Sequence, residues 1–162
     1  MNRFFQSSMI ALLIFPWVAP VRAHAEPPSH LAQKISNERR LRALAGRIDR
    51  DTAGIARTNH IELLADQFHV PLSVIEEMRQ KGQRWGDITI QLAMAQSLCA
   101  KDPVHYGTPA DALFQIQLTR AENKSWSRTA RVSGLRLKPI LIMTAQSYRS
   151  LKSSGQIEHA AL

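Results

Sequence analysis

Cysteine is almost missing from this chain of 162 residues, with Cys99 the single one. A lone thiol excludes a disulfide framework, a C-x-x-C redox pair, a cysteine-built zinc site and a C-x-x-C-H haem attachment. Glycine is sparse too, at 7 residues, and the glycine-dependent signatures are absent: no P-loop, no dinucleotide-binding fingerprint, no G-x-S-x-G nucleophile elbow. The H-E-x-x-H metal motif is also missing. Acid is in short supply, 13 Asp and Glu against 21 Lys and Arg, which leaves a formal charge of +8. No long apolar run follows the first twenty-five residues. The whole chain is 44% apolar and 21% charged, a globular composition long enough for one ordinary domain.

The N-terminus reads as an address. Arg3 supplies positive charge, Met9 to Phe15 form an uncharged apolar segment, and Pro16 and Pro20 break any helix. Ala23-His24-Ala25 fits the small-x-small rule, so residues 1–25 are expected to be a signal peptide cut between Ala25 and Glu26. Arg22 is an unusual charge so close to the cut. An uncleaved membrane anchor would need about 20 apolar residues, and Gln6, Ser7, Ser8 and the two prolines interrupt the run. The expectation is export, to the periplasm if the source is Gram-negative. Cleavage removes Arg3 and Arg22 and no acid, leaving 19 basic side chains against 13 acidic ones. Residues 26–111 are balanced, whereas residues 112–162 hold 8 basic and 2 acidic side chains. The whole excess lies in the last third.

Residues 26–35 read as a flexible leader, 36–152 as a helical domain and 153–162 as a frayed tail. Leu41, Leu44, Ala45 and Ile48 form one apolar stripe on a first, Arg-rich helix. Asn59 with Glu62 and Ser73 with Glu76 have the spacing of capping boxes. Ile61, Leu64, Ala65 and Phe68 follow the first pair, and Leu72, Ile75 and Met78 belong to the helix of the second. Gly82 is placed for a left-handed C-cap. Trp85-Gly86-Asp87 opens a helix with the stripe Ile88, Leu92, Ala95 and Cys99, which predicts a buried thiol. Thr108-Pro109-Ala110-Asp111 is the strongest helix start, with a hydroxyl N-cap, proline at the first position and an acid three residues on. Its stripe is Leu113, Phe114, Ile116 and Leu118. A short helix from Trp126 or Ser127 to Ser133 stops at Gly134, and a last one from near Pro139 carries Leu141, Met143, Tyr148 and Leu151. No stretch alternates like a strand, so the fold class is all-α, a small bundle of about six short helices.

A shift of 41 residues lays LSVIEEMRQKGQRW (72–85) over LFQIQLTRAENKSW (113–126). Leu72 meets Leu113, Ile75 meets Ile116, Arg79 meets Arg120, Trp85 meets Trp126, and Gly82 meets Asn123, both types that tolerate a left-handed cap. This suggests two related helical units, 61–99 and 108–151, each with a tryptophan wedging the next helix. Trp85 and Trp126 read as core.

Residues 61–80 resemble the helix-turn-helix pattern through Leu64, Ala65, Phe68, Val70, Ile75 and Met78, with His69 where the turn glycine usually stands. Residues 126–145 resemble it again through Ala130, Gly134, Leu135, Ile140 and Met143, with Thr129 and Ser133 at two usually apolar positions. That resemblance would imply DNA recognition by the second helix, which needs basic or amide side chains at its exposed start. The first copy offers Ser73, Glu76, Glu77 and Gln80 there, and carboxylates repel phosphates. In the second, Arg136 and Lys138 are favourable but Leu141, Ile142 and Ala145 are apolar. The stretch QKGQRWGDITIQLAMAQ is also similar to small exported bacterial all-helical proteins of unknown function that share a Gly-x-x-Trp-Gly-acid-Ile helix start. This similarity covers residues 62–98 and implies export but no activity.

No catalytic constellation is visible. His30, His60, His69, His105 and His159 form no H-x-x-x-H pair, and Glu76-Glu77 point in different directions on a helix. No cofactor and no metal are expected, and the chain does not read as an enzyme. If a surface matters it is the basic C-terminal one, Arg128, Arg131, Arg136, Lys138, Arg149 and Lys152, docking an acidic protein or another anionic envelope component. An exposed Cys99 would permit a disulfide-linked dimer. The alternative is a helix-turn-helix-type nucleic-acid-binding protein with an uncleaved N-terminus.

Overall fold

A computed structural model describes residues 28–53 and 57–160, and the described residues form seven α-helices and no strand. In chain order these are α1 (Pro28–Asp51), α2 (Arg57–Phe68), α3 (Leu72–Gln80), α4 (Trp85–Lys101), α5 (Pro109–Glu122), α6 (Trp126–Val132) and α7 (Leu137–Ala160). The expected cleavage residues Ala23, Ala25 and Glu26 lie outside the described residues.

The core is built around α4. From Ile88 to Leu98 its sequence carries no charge, and a helix that is apolar on every side belongs in the interior. Residues 88–95 are all buried, enclosed by α5, α1 and α7. Its few polar groups are answered within the helix or by a neighbour: the Thr89 hydroxyl donates to the Trp85 carbonyl at 2.8 Å, and the Gln91 amide donates to the Gln83 side-chain oxygen at 2.8 Å. Buried polar groups are tolerated when so paired.

Three of the turns share one closure. At the ends of α2, α3 and α6 a residue with positive φ bonds back into the last turn: His69 (54°), Gly82 (77°) and Gly134 (65°). The next residue's N–H reaches a carbonyl five residues back, Val70 to Ala65, Gln83 to Met78 and Leu135 to Ala130, at 3.1, 3.1 and 2.7 Å. This is the Schellman pattern, which satisfies the helix's last carbonyls. The left-handed cap expected at Gly82 is present. Asn123, its counterpart 41 residues on, is different: its φ is −123° and its buried side-chain amide donates to the Thr119 carbonyl at 2.7 Å. The side-chain amide thus meets the carbonyl whose counterpart, that of Met78, is met by the Gln83 N–H in the first unit.

α1 is the element against which both units are anchored. Leu41, Ala45 and Ile48 are buried along it, and its acids Glu38 and Asp49 lie eleven residues apart, three turns along one face. Asp49 accepts the Gly86 N–H at 2.8 Å, at the start of α4. Glu38 accepts the Trp126 and Ser127 N–H groups at 3.2 and 2.6 Å, at the start of α6. Positions 86 and 127 are themselves 41 apart, so the offset seen in the sequence is also the offset of the docking. In each unit an arginine six residues before the tryptophan covers its ring, Arg79 at 4.6 Å from the Trp85 centroid and Arg120 at 4.1 Å from Trp126. Each guanidinium also donates to a turn carbonyl, that of Gln83 or Asn123.

Because Glu38 holds two helix-start N–H groups and the Arg42 side chain at 2.8 Å, Glu38→Ala is expected to cost about 2 kcal/mol. Urea unfolding measures it, and a cost near zero would mean that water serves the start of α6 equally well.

Several expectations are corrected. The leader 26–35 is not a leader throughout, since α1 begins at Pro28. Proline suits a first helical position, where no N–H is needed, and Ala32, Gln33 and Lys34 are good helix formers whose mostly exposed faces give no apolar stripe. Likewise α7 continues through the expected tail to Ala160. Asn59 lies inside α2, which starts at Arg57, and α3 starts directly after Pro71 with no side-chain cap, leaving Ser73 in its first turn. The Thr108–Asp111 capping box is fully formed. On α5 the buried residues are Ala112, Leu113, Ile116 and Thr119, whereas Phe114 and Leu118 face outward, 64% and 48% exposed. Cys99 is half-buried rather than buried, because α4 emerges from the core at its C-terminal end; its thiol donates to the Tyr106 carbonyl at 3.2 Å.

Candidate basic groove

Basic side chains gather where α1 passes the α6–α7 turn. Gly134 turns the chain sharply there, which sets α6 and the start of α7 at an angle and leaves a groove of about 540 Å³ between them and the N-terminal half of α1. Ala130, Leu135 and Leu137 give it an apolar floor. Lys34, Arg131, Arg136 and Lys138 line it with positive charge, and all four are exposed. Gln33 and Asn37, one turn apart on α1, add two amides.

No carboxylate among the described residues lies within ion-pairing reach of Arg131, Arg136 or Lys138. The acid on this stretch of α1, Glu38, is turned inward onto the start of α6. Ion pairs at the α3–α4 side are closed locally: Lys81 meets Glu77 at 2.5 Å and Arg84 lies 3.3 Å from Asp87 and 3.9 Å from Asp49. Charge on that side is balanced locally, whereas Arg131, Arg136 and Lys138 at the groove have no ion-pair partner among the described residues.

The six basic residues singled out in the sequence do not form one surface. Arg131, Arg136 and Lys138 converge on the groove. Arg128 is exposed on α6 without lining it, and Arg149 and Lys152 are exposed farther along α7. At 1.5 Å of rise per residue they lie about 16 and 21 Å from Lys138. Gln33 and Lys34 were missed because they lie in the expected leader, which carries no apolar stripe, and Asn37 because nothing local placed its helix beside α6.

Trp85 and Trp126 are buried, as their expected core role requires. His60 is buried as well, edge-on to the Trp85 ring at 5.4 Å between centroids. Tyr148 on α7 donates its hydroxyl to Asp51 at the end of α1, at 2.6 Å. That hydrogen bond, together with desolvation and the nearby carboxylate charge, raises the phenol pKa above its ordinary value of 10.0. The contact joins α1 to α7. Among the described residues no group of three His, Cys, Asp or Glu side chains could hold a metal ion, and no helix is long and apolar enough to cross a membrane.

In the α2–α3 turn His69, at the position where the helix-turn-helix pattern usually has glycine, takes the left-handed conformation. The outer face of α3 carries Ser73, Glu76, Glu77 and Gln80, all exposed, so its charge opposes a phosphate backbone. In the second copy Ile140 and Thr144 of α7 are buried in the bundle. Compared with family models, curated proteins and solved structures, the chain matches none of them.

Proposed function

We propose that this chain is an exported binding protein that docks an acidic partner through the groove between α1 and the α6–α7 turn. One observation carries the reading: Arg131, Arg136 and Lys138 converge with Lys34 on a concave, apolar-floored site, with no carboxylate among the described residues paired to the first three. Charges on an ordinary solvated surface are interspersed with the opposite sign, as they are around Arg84. Export rests on residues 1–25, whose charge, apolar segment and Ala-His-Ala sequence fit a secretory signal. The absence of a catalytic constellation in the sequence favours binding over catalysis.

A labelled poly-glutamate chain tests the docking reading by titration at rising salt. Binding is expected to weaken steeply between low and high salt, because the screening length falls from about 10 Å at 0.1 M to about 3 Å at 1 M. Reversing the groove charges (Arg131→Glu, Arg136→Glu, Lys138→Glu) is expected to abolish binding. The same change in net charge made elsewhere (Arg128→Glu, Arg149→Glu, Lys152→Glu) is expected to leave most of it. Equal losses from the two triple variants would mean that total charge, not the groove, attracts the probe.

A further inference from the structure

The groove offers more than charge, and its other groups narrow the ligand. Gln33 and Asn37 line it from α1, and neither amide has a hydrogen-bond partner among the described residues. Residues four apart on a helix share a face, so the two amides form a short ladder along one wall. Each amide supplies two donors and an acceptor. A phosphate or a lipid head group offers chiefly acceptor oxygens and would leave the amide oxygens unanswered. A peptide backbone offers N–H and C=O groups together and satisfies both halves of each amide.

The opposite wall and the floor add two further requirements. Arg131 and Arg136 present guanidinium forks, which match a carboxylate's two oxygens in a bidentate pair. Leu135, Leu137 and Ala130 give an apolar floor between the charges, and an apolar group must cover them for that surface to leave water. In an extended chain successive side chains point to opposite sides, so acids at alternate positions can face the guanidinium groups while the residue between them faces the floor. A flat bilayer would meet only the rim of a concave site and would leave its floor wet.

We propose that the groove between α1 and the α6–α7 turn is a peptide-binding site that takes an extended acidic segment with an apolar residue between its carboxylates. In it, Arg131 and Arg136 hold the acids, Gln33 and Asn37 hold the backbone, and Leu135 and Leu137 receive the apolar side chain. The inference rests on the reading of this groove as the docking site for an acidic partner.

The test is calorimetric titration of the full chain with acetyl-Glu-Leu-Glu-Leu-Glu-amide, with the equally charged acetyl-Glu-Ser-Glu-Ser-Glu-amide, with tripolyphosphate, and with vesicles of phosphatidylglycerol and phosphatidylethanolamine. The leucine peptide is expected to bind roughly tenfold tighter than the serine peptide, the effect of burying part of a leucine side chain. Gln33→Ala combined with Asn37→Ala is expected to weaken the leucine peptide roughly tenfold, as two lost hydrogen bonds would, and to weaken tripolyphosphate, which can use only the amide donors, by less. Both substitutions lie on exposed or half-buried positions of α1, and an unaltered helical circular dichroism signal confirms that the helix persists. Equal affinity for the two peptides, or tripolyphosphate or vesicles binding more tightly than the leucine peptide, would overturn peptide recognition while leaving an anion-docking groove. No binding of any probe would overturn both readings.

Discussion

Gly86→Ala is expected to lower stability by about 3 kcal/mol or more and to part α1 from α4. A methyl group at residue 86 would lie 2.4 Å from the Ala45 carbonyl oxygen, 2.6 Å from its Cα and 2.7 Å from its carbonyl carbon. All three are backbone atoms on the buried face of α1, so no flexible side chain can swing away, and the two helices must separate. Separation would also stretch the 2.8 Å bond from the Gly86 N–H to Asp49. Two other glycines calibrate the effect. At Gly82 nothing lies within 4 Å of an added methyl, but φ is +77°, so Gly82→Ala should cost about 1 kcal/mol through backbone strain alone. Gly46 sits inside α1 with only the Arg50 side chain nearby, at 3.6 Å, so Gly46→Ala should stabilise by about 0.5–1 kcal/mol. Urea unfolding of the three variants tests the ranking. A Gly86→Ala cost no larger than that of Gly82→Ala would mean that α1 does not depend on this close approach.

The contact at Gly86 also explains how the two units differ. Where Gly86 meets α1, the accepting acid is the shorter Asp49; the equivalent position in the second unit is Ser127, and its acid is the longer Glu38. A glycine with an aspartate suits a close approach, and a serine with a glutamate suits a wider one. The same kind of docking is thus made by an aspartate on the Gly86 N–H and by a glutamate on the Trp126 and Ser127 N–H groups.

How much of this could be read in the sequence depended on whether the signal was local. The all-helical class followed from apolar periodicity, and the Thr108–Asp111 box from three adjacent positions. The shared offset of 41 was visible because its marks, Leu72 and Leu113, Ile75 and Ile116, Arg79 and Arg120, Trp85 and Trp126, stand in the same order. The stacking of each arginine on its tryptophan was not visible, because it depends on how the intervening turn folds back. Glu38 and Asp49 gave no sign of their role, since their partners lie 88 or 89 and 37 residues away. Periodicity misjudged α5 for another reason. Its apolar residues occupy more than one face, and only packing decides that Thr119 is buried while Phe114 is exposed. The groove was half legible: the charge of residues 131–138 stood out, but the wall supplied by Gln33, Lys34 and Asn37 comes from the far end of the described chain.

Trp126→Ala is expected to cost about 3–5 kcal/mol, the usual penalty for removing a large buried ring, and Trp85→Ala a similar amount. Trp126 is 3% exposed and Trp85 7%, and each opens the helix whose first N–H groups meet an acid of α1. Losing either ring removes the wedge that orients that helix start, so the loss should extend to the hydrogen bonds at Glu38 or Asp49. The arginine above each ring supplies a sharper test of equivalence between the units. A guanidinium over an indole contributes about 0.5–2 kcal/mol depending on desolvation. A double-mutant cycle pairing Arg120→Ala with Trp126→Ala should therefore give a coupling of about 1 kcal/mol, and the Arg79 and Trp85 cycle a matching value. Coupling at one pair and none at the other would mean that the two units share a sequence pattern without sharing its energetics. Matching couplings would make the arginine-covered tryptophan, set on an acid of α1, the repeated physical unit of this fold.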